Sequence, residues 1–501
     1  MNAAWLPLTT LATSLLVTVV IFALPEEARK LRTGINLLAA VAKIILVVLM
    51  VRRVADGHED VFSFQVVGGV DFVLRADALG VMFAGLSSLL WLCTTIYAIG
   101  YLEGSVNRKR FFGFFSLCVA STLGIALADN LFTFLIFYEM LTLSTYPLVV
   151  HSGTVKALNA GKIYLRYTLT GGVVLLLGTV LLYSLTGEHS FSSEEGLGNY
   201  LNDHRGLLTL IFALLVGGLA VKAAMVPLHG WLPRAMVAPA PVSALLHAVA
   251  VVKAGAFGIL RVIYDLYGIE LSVELGVTTV LAVAASITII YGSLRAIAQT
   301  ELKPRLAFST ISQVSYVVLG VSLFGPFGTI GALAHLLHQG LMKVTLFFCA
   351  GNYAEELGIH RIDEMDGAGK RMPLTSIAFT VGALGMIGLP PVAGFITKWY
   401  LGMGAIQAEM YWVVAVLVAS STLNAMYFLP ILHRLWFRPG PSHGNGSWPN
   451  EQRLGRLETH GWLLWPMVFT AMASLGAGVL AGMPFSPLDW ATRVAIGEYL
   501  P

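Results

Sequence analysis

The sequence predicts an all-α polytopic membrane protein whose chain crosses the bilayer about fourteen times. Three observations lead there. Of 501 residues, 56% are apolar and only 12% are charged, where a soluble protein carries about 25% charged residues. The mean hydropathy is +0.77. The apolar residues come in continuous runs of about 20, the length that spans a bilayer as a helix, and not in the alternation of a membrane β-barrel. This composition excludes a water-soluble enzyme, a nucleic-acid binder and a disordered scaffold. Lys plus Arg number 31 and Asp plus Glu 28, and the resulting net charge of +3 makes no basic field for nucleic acid.

The runs place helices near 4–24, 33–54, 77–102, 111–129, 131–151, 161–185, 206–227, 236–263, 272–297, 305–324, 327–352, 373–403, 410–437 and 460–486. Fourteen segments of about 22 residues occupy about 310 residues and leave short loops. The first lies in MNAAWLPLTTLATSLLVTVVIFALPEEARK. A cleavable signal carries its cations before the apolar core; here Arg29 and Lys30 follow it, so the segment reads as a retained helix. Cys93, Cys118 and Cys349 each sit inside an apolar run. They have neither metal spacing nor a disulfide framework and read as small packing residues.

Loop charges set the expected orientation. The odd-numbered loops hold Arg29, Lys30 and Arg32, then Arg108, Lys109 and Arg110, then Lys156 and Lys162. Further on they hold Arg234, Arg295, Lys303, Arg305, Arg361, Lys370, Arg371, Arg434 and Arg438. The even-numbered loops hold few cations, chiefly Arg52, Arg53 and Arg75, and the one near 186–205 is acidic, with Glu188, Glu194, Glu195 and Asp203. The bias puts the odd loops in the cytoplasm and both termini outside, and it favours an even helix count.

Two helices read as broken. GGLAVKAAMVPLHGWLP contains Pro227, and GMIGLPPVAGFITKWYL contains Pro390 and Pro391. Proline removes a backbone donor and glycine weakens a helix, so both segments unwind. Unwound backbone at membrane depth survives only where protein buries it or a wet cavity flanks it. Two such segments in corresponding halves point to inverted repeats around an ion path. The seventh and twelfth helices are five apart. The expected divisions are 1–105 for helices 1–3, 106–265 for a first repeat of helices 4–8, 266–440 for a second repeat of helices 9–13, and 441–501 for helix 14.

Ionisable residues inside the apolar runs carry the functional reading. Each costs at least about 2.5–3.5 kcal/mol to insert. Glu139 lies mid-run, Lys222 just before the first break, and Lys253 in LLHAVAVVKAGAFGILRV. Lys343 follows His335 and His338 in HLLHQGLMKVTLFFCAG, and Lys398 follows the second break. His229 and His247 add titratable groups. A single lysine near a helix end reads as a snorkelling or locking residue. Five central charges interleaved with histidines read as a proton route. Burial disfavours a lysine's charge, a nearby carboxylate restores it, and histidine bridges such groups near neutral pH. His335 and His338 share a helix face but lack a third ligand for zinc. The chain has no phosphate loop and no dinucleotide fingerprint, nothing points to a quinone site, and no cofactor or metal is expected.

At these residues the chain resembles the antiporter-like membrane subunits shared by respiratory complex I, membrane-bound hydrogenases and Mrp-type multisubunit cation/proton antiporters. The resemblance rests on FYEMLTLSTY, KAAMVPLHGWLPRAMVAPAPVSALLHAVAVVKAG, AQTELKPRLAFSTISQVSYVVLG, HLLHQGLMKVTLFFCAG and GLPPVAGFITKW. It covers residues 70–430. It implies 14 core helices, two inverted five-helix repeats and broken seventh and twelfth helices. Carried over by motif, Glu139 is similar to the fifth-helix glutamate that pairs with the seventh-helix lysine, here Lys222. Lys253 is similar to the eighth-helix lysine of the central axis, and Lys398 to the twelfth-helix exit residue. His335, His338 and Lys343 match the eleventh-helix region. Some members place a histidine four residues before that lysine; here His338 lies five before, and either histidine fits as the relay.

The terminal complex I subunit carries a long lateral helix after its core and the Mrp A subunit carries extra helices. This sequence ends at residue 501, soon after its fourteenth run, and LLHAVAVVKAG and ITKW are most similar to Mrp D and hydrogenase-type members. The resemblance therefore implies a proton-translocating subunit of a multisubunit Na+/proton antiporter in the prokaryotic plasma membrane, beside other membrane subunits. The alternative it implies is the proton-pumping subunit of a redox complex or of an inorganic-carbon uptake complex.

Overall fold

A computed structural model describes residues 4–187, 190–192, 197–440, 448 and 458–499. Each of the fourteen expected segments contains helix. They are α1 (Trp5–Ala23), α2 (Arg29–Ala55), α3 (Ala78–Tyr101), α4 (Arg108–Leu127), α5 (Leu131–Val149), α6 (Val155–Thr186) and α7 (Leu201–Lys222). There follow α8 (Ala240–Leu266), α9 (Val277–Ile297), α10 (Leu302–Val321) and α11 (Pro326–Leu357). The twelfth is split into α12a (Pro373–Ile387) and α12b (Ala393–Gln407). Then come α13 (Tyr411–Phe437), α14 (Gly461–Val479) and a C-terminal α15 (Pro487–Tyr499). Among the described residues, twelve helices are long and apolar enough to cross a membrane. The other two segments depart for separate reasons. α10 is 20 residues long but carries buried Ser309, Thr310, Ser312, Gln313 and Ser315. The halves of α12 are 15 residues each. Of the acidic loop, Glu188, Glu194 and Glu195 lie outside the described residues, and Asp203 sits in the first turn of α7.

Helix ends follow local chemistry. The Asn130 side chain accepts from Thr133 N at 2.8 Å and opens α5; Thr154 accepts from Ala157 N at 3.2 Å and opens α6. Both satisfy donors that a helix start leaves orphaned. α11 starts on Pro326 and stops at Gly358 in the left-handed region, the usual asymmetry of helix ends. At the N-terminus of α12a a buried carboxylate does the same work. Glu458 accepts from Leu374 N at 2.8 Å and from Thr375 N at 2.7 Å, placing negative charge where the helix dipole favours it.

The chain divides into two compact units. The first comprises Met1–Leu92, Ser105–Trp231 and Val249–Leu281; the second comprises Cys93–Gly104, Leu232–Ala248 and Ala282–Pro501. In the first, α4 packs on α1 and α5, and α6 packs on α5 and α7, which in turn meets the Val251–Arg261 stretch of α8. In the second, α11 is surrounded by α10, α12a, α12b, α14 and α15, and nearly all of its 32 residues are buried.

A β-hairpin was not among the expected elements. β1 (Asp60–Val67) pairs antiparallel with β2 (Val70–Ala76) in what reads by hydropathy as loop. The signal was present: VFSFQVV and VDFVLRA alternate around Gly68–Gly69, a two-glycine hairpin turn. The hairpin is anchored by charge. Arg261, at the end of α8 and 3% exposed, donates to both carboxylate oxygens of Asp77 at 2.6 and 2.7 Å and to Asp265 at 2.9 Å. Nearby, burial pushes the Asp129 carboxyl upward, against the Ser190 hydroxyl and the Arg75 guanidinium, which hold it down. Asp77→Ala leaves a buried guanidinium with half its acceptors, a loss of about 3–5 kcal/mol for a broken buried pair. Thermal unfolding of the detergent-purified protein reads this as a clear drop in Tm, and an unchanged Tm would contradict the anchoring role.

Candidate functional site

In the first unit the site is built where α7 stops. Lys222 is the last residue of α7, wholly buried, and a turn segment carrying Pro227 and His229 runs from there to Trp231. A cation at a helix C-terminus faces carbonyl groups that lack intrahelical donors. Its Nζ donates to the Tyr138 carbonyl oxygen and lies 3.3 Å from the centroid of the Tyr138 ring. The next residue on α5 is Glu139, half-buried. Among the described residues no ion pair within 4 Å joins Glu139 to Lys222; they are neighbours through Tyr138. The Oε1 atom of Glu139 has no hydrogen-bond partner. It occupies the space a side chain at Gly172 would fill, since a Cβ there would come 2.1 Å from it. Only the far end of a flexible side chain is in the way. Gly172→Ala should therefore fold and assemble normally yet swing the Glu139 carboxylate away. The expected result is a shifted pH dependence of proton transport with an unchanged Tm; an unshifted profile would argue that Glu139 does not act on Lys222. Lys253 is also wholly buried in this unit, on α8.

α8 is not a regular helix. Its backbone widens into π turns at Leu245–Val249 and Val262–Leu266, a distortion common at functional positions. His247 sits in the first of these, in the second unit. It is wholly buried, stacks on Phe347 at 4.6 Å, and neither ring nitrogen has a hydrogen-bond partner.

The rest of the second unit's polar groups gather around α11 and the α12 break. His335, His338, Gln339 and Lys343 are all 0% exposed. His335 Nδ1 is 3.0 Å from Thr397 Oγ1 on α12b, and its ring tilts against Tyr316 of α10 at 5.2 Å. Lys343 Nζ donates to Ser309 Oγ at 2.7 Å and to the Leu306 carbonyl at 3.2 Å. The segment from Gly388 to Val392, with Pro390 and Pro391, separates the halves of α12. Lys398 Nζ reaches back across it to the Ile387 carbonyl at 2.7 Å, the Met386 carbonyl at 3.2 Å and Ser421 Oγ at 2.9 Å. The break thus exposes α12a carbonyls and Lys398 covers them. Val226–Pro227 and Pro390–Pro391 are the cis peptide bonds among the described residues.

Buried polar atoms are nearly always satisfied by protein or by ordered water. Both amide atoms of Gln339, both ring nitrogens of His247 and Glu139 Oε1 lack protein partners.

Sequence reading missed Lys43. It lies in the apolar run of α2, wholly buried, donating to Ser14 Oγ on α1 with its Nζ 3.8 Å from the Trp91 ring centroid. Its signal was simply a lone lysine in AAVAKIILVVLM. It also missed Ser309, Asn424 and Tyr427, whose types are too common in helices to stand out.

Two interrupted membrane helices, one ending on the wholly buried Lys222 and the other carrying the half-buried Lys398 just past its break, define the class: a polytopic membrane subunit with ionisable groups at its helix breaks. Comparison then gives the lineage. The family described as NADH:quinone oxidoreductase/Mrp antiporter, transmembrane region, matches residues 128–424, and the chain belongs to it as an antiporter-like membrane subunit. NADH-quinone oxidoreductase subunit N of Desulforudis audaxviator is 36% identical over 82% of this chain and 81% of its own length. Hydrogenase-4 component B of Escherichia coli is 34% identical over 66% of this chain, which spans 50% of that longer protein. The Mrp complex of a Dietzia species contains a chain of the same fold, with a TM-score of 0.84 and 25% identity over 99% of this chain and 98% of that one.

Proposed function

We propose that this chain is the proton-carrying, D-type subunit of a multisubunit Na+/proton antiporter. The observation that carries the reading is the set of buried lysines, with the end-to-end likeness to an Mrp subunit in support. Helices 4–8 and 9–13 form two inverted repeats in this reading, supported by breaks in the seventh and twelfth helices, each beside a lysine. Protons load at Lys222, whose charge Glu139 tunes, and pass by Lys253, His247 and His335 or His338 to Lys343 and out by Lys398. Moving one charge across 100 mV is worth about 2.3 kcal/mol, so proton entry can drive cation export by neighbouring subunits. The odd-numbered loops lie in the cytoplasm of a prokaryotic cell and both termini outside, as the cation bias supports.

A second reading has a specific observation behind it. The subunit N relative is matched over four-fifths of both chains, which favours a proton-pumping place in a redox complex; an inorganic-carbon uptake complex offers a third partner set. Affinity purification of the tagged chain in mild detergent separates them. Small hydrophobic antiporter subunits, together with Na+-dependent proton release from vesicles, support the first reading. Iron–sulfur, flavin or nickel subunits overturn it in favour of the second.

A further inference from the structure

A continuous set of hydrogen bonds runs between two lysines of the second unit by way of α13, a helix to which the proposed route assigns no residue. Lys343 Nζ donates to Ser309 Oγ at 2.7 Å. The Tyr427 hydroxyl is 2.9 Å from Ser309 Oγ and 2.8 Å from Asn424 Oδ1. Asn424 Nδ2 donates to the Met386 carbonyl at 3.0 Å. That same carbonyl accepts from Lys398 Nζ at 3.2 Å. Ser309, Asn424, Tyr427 and Lys343 are all buried, so water competes little for these bonds.

The Tyr427 hydroxyl is the pivot. It has one proton and two acceptors at nearly equal distance, so its direction is set by what its neighbours do. When Lys343 is an ammonium it can only donate. Ser309 then accepts from Lys343 and donates to Tyr427, and Tyr427 donates to Asn424 Oδ1. When Lys343 is a neutral amine its lone pair accepts. Ser309 turns to donate to Lys343, Tyr427 turns to donate to Ser309, and Asn424 Oδ1 loses that donor. Its remaining side-chain donor is the Ser293 hydroxyl, at 3.4 Å. A bare amide oxygen beside the α12 break raises the negative potential there, where Lys398 sits. No proton passes through Asn424; hydroxyl rotation carries the information.

We propose that Ser309, Tyr427 and Asn424 form a dipole relay that makes the charged states of Lys343 and Lys398 alternate, so that one of the two is an ammonium when the other is not. The inference rests on reading both lysines as proton carriers. It gives α13 a part in transport, as the carrier of positioning residues that never meet the transported proton. Ionisable groups on the surrounding elements include Tyr291 and Arg295 on α9, whose Ser293 meets Asn424; Lys303, Arg305 and Tyr316 on α10; His335 and His338 on α11; His247 on α8; and Tyr499 on α15, which approaches Thr329. The facing helices α12a and α14 carry none.

The test is proton flux into vesicles containing the whole complex, measured against pH for the unaltered chain, Tyr427→Phe, Ser309→Ala and the double variant. Tyr427→Phe keeps the ring and removes the pivot. Flux should fall about tenfold, the weight of one hydrogen bond in a rate. The pH window of activity should also narrow from both sides, because uncoupled sites share a single proton over a smaller range. Ser309→Ala should do the same, and the double variant should be no worse than either single one. An unchanged window in assembled complex overturns the relay even if the rate falls, as do additive losses. Should Tyr427→Phe fail to assemble, Ser309→Ala decides alone. Lys343→Ala separates this from the parent reading. If it stops flux while Tyr427→Phe behaves as the unaltered chain, only the relay falls. If Lys343→Ala transports normally, both fall.

Discussion

Lys222→Ala is expected to abolish proton transport by the assembled complex, and Lys222→Arg is expected not to restore it. The loss is expected to be at least about 100-fold, the lower end for removing a positioned proton-transfer group. Alanine removes the group outright. Arginine keeps the positive charge on the carbonyl end of α7, so a purely structural cation would be replaced well enough. An arginine does not give up its proton in a protein, so a proton carrier would not. The two variants therefore separate the roles that a buried lysine can play. Vesicle proton flux is the measurement, with co-purification of partner subunits as the assembly control. Normal flux in an assembled Lys222→Arg complex would reduce Lys222 to a fixed charge and move the loading step elsewhere.

Gly394→Ala is expected to disrupt the α12 break itself. Gly394 opens α12b just past the break, and a Cβ there would lie 1.8 Å from the Gly385 carbonyl oxygen of α12a. The obstacle is backbone on a packed helix, with no flexible end to swing away. Overpacking of this kind typically costs about 1–3 kcal/mol. The two half-helices must separate, and with them the Met386 and Ile387 carbonyls from Lys398 Nζ. A lowered Tm of the purified complex and loss of flux are expected together. A variant with native Tm would show that the break region yields more readily than its geometry indicates.

Much of this was legible in the sequence, for physical reasons that differ by element. Continuous apolar runs mark membrane helices because lipid offers the backbone no partners, and Pro227, Pro390 and Pro391 mark the interruptions because proline has no donor to give. Charge in an apolar run is costly enough to be conspicuous, which is why Glu139, Lys222, Lys253, Lys343 and Lys398 stood out. The hairpin did not, because eight residues of alternating pattern weigh little beside runs of twenty. Lys43 escaped because it has no ionisable neighbour in sequence; its partners Ser14 and Trp91 are brought to it by folding. Tyr427 and Asn424 escaped for the opposite reason. Hydroxyls and amides cost little in a helix, and only the distances to Ser309 and Met386 give them meaning. The absence of a direct ion pair between Glu139 and Lys222 was equally beyond the reach of spacing, since it depends on how Tyr138 is placed between them.

The polar character of α10 bears on how the protein is made. Its serines, threonine and Gln313 leave it short of the apolarity that carries a helix into lipid alone, and protein surrounds nearly every one of its residues. Such a segment has no stable place in a bilayer until something shields it. Its main shield is α11, which follows at once in the chain and packs along it. The tenth segment should therefore wait at the insertion machinery and enter as a hairpin with the eleventh. A chain truncated between them would leave α10 on the water side, with the polar face that holds Ser309 exposed to solvent and to proteolysis.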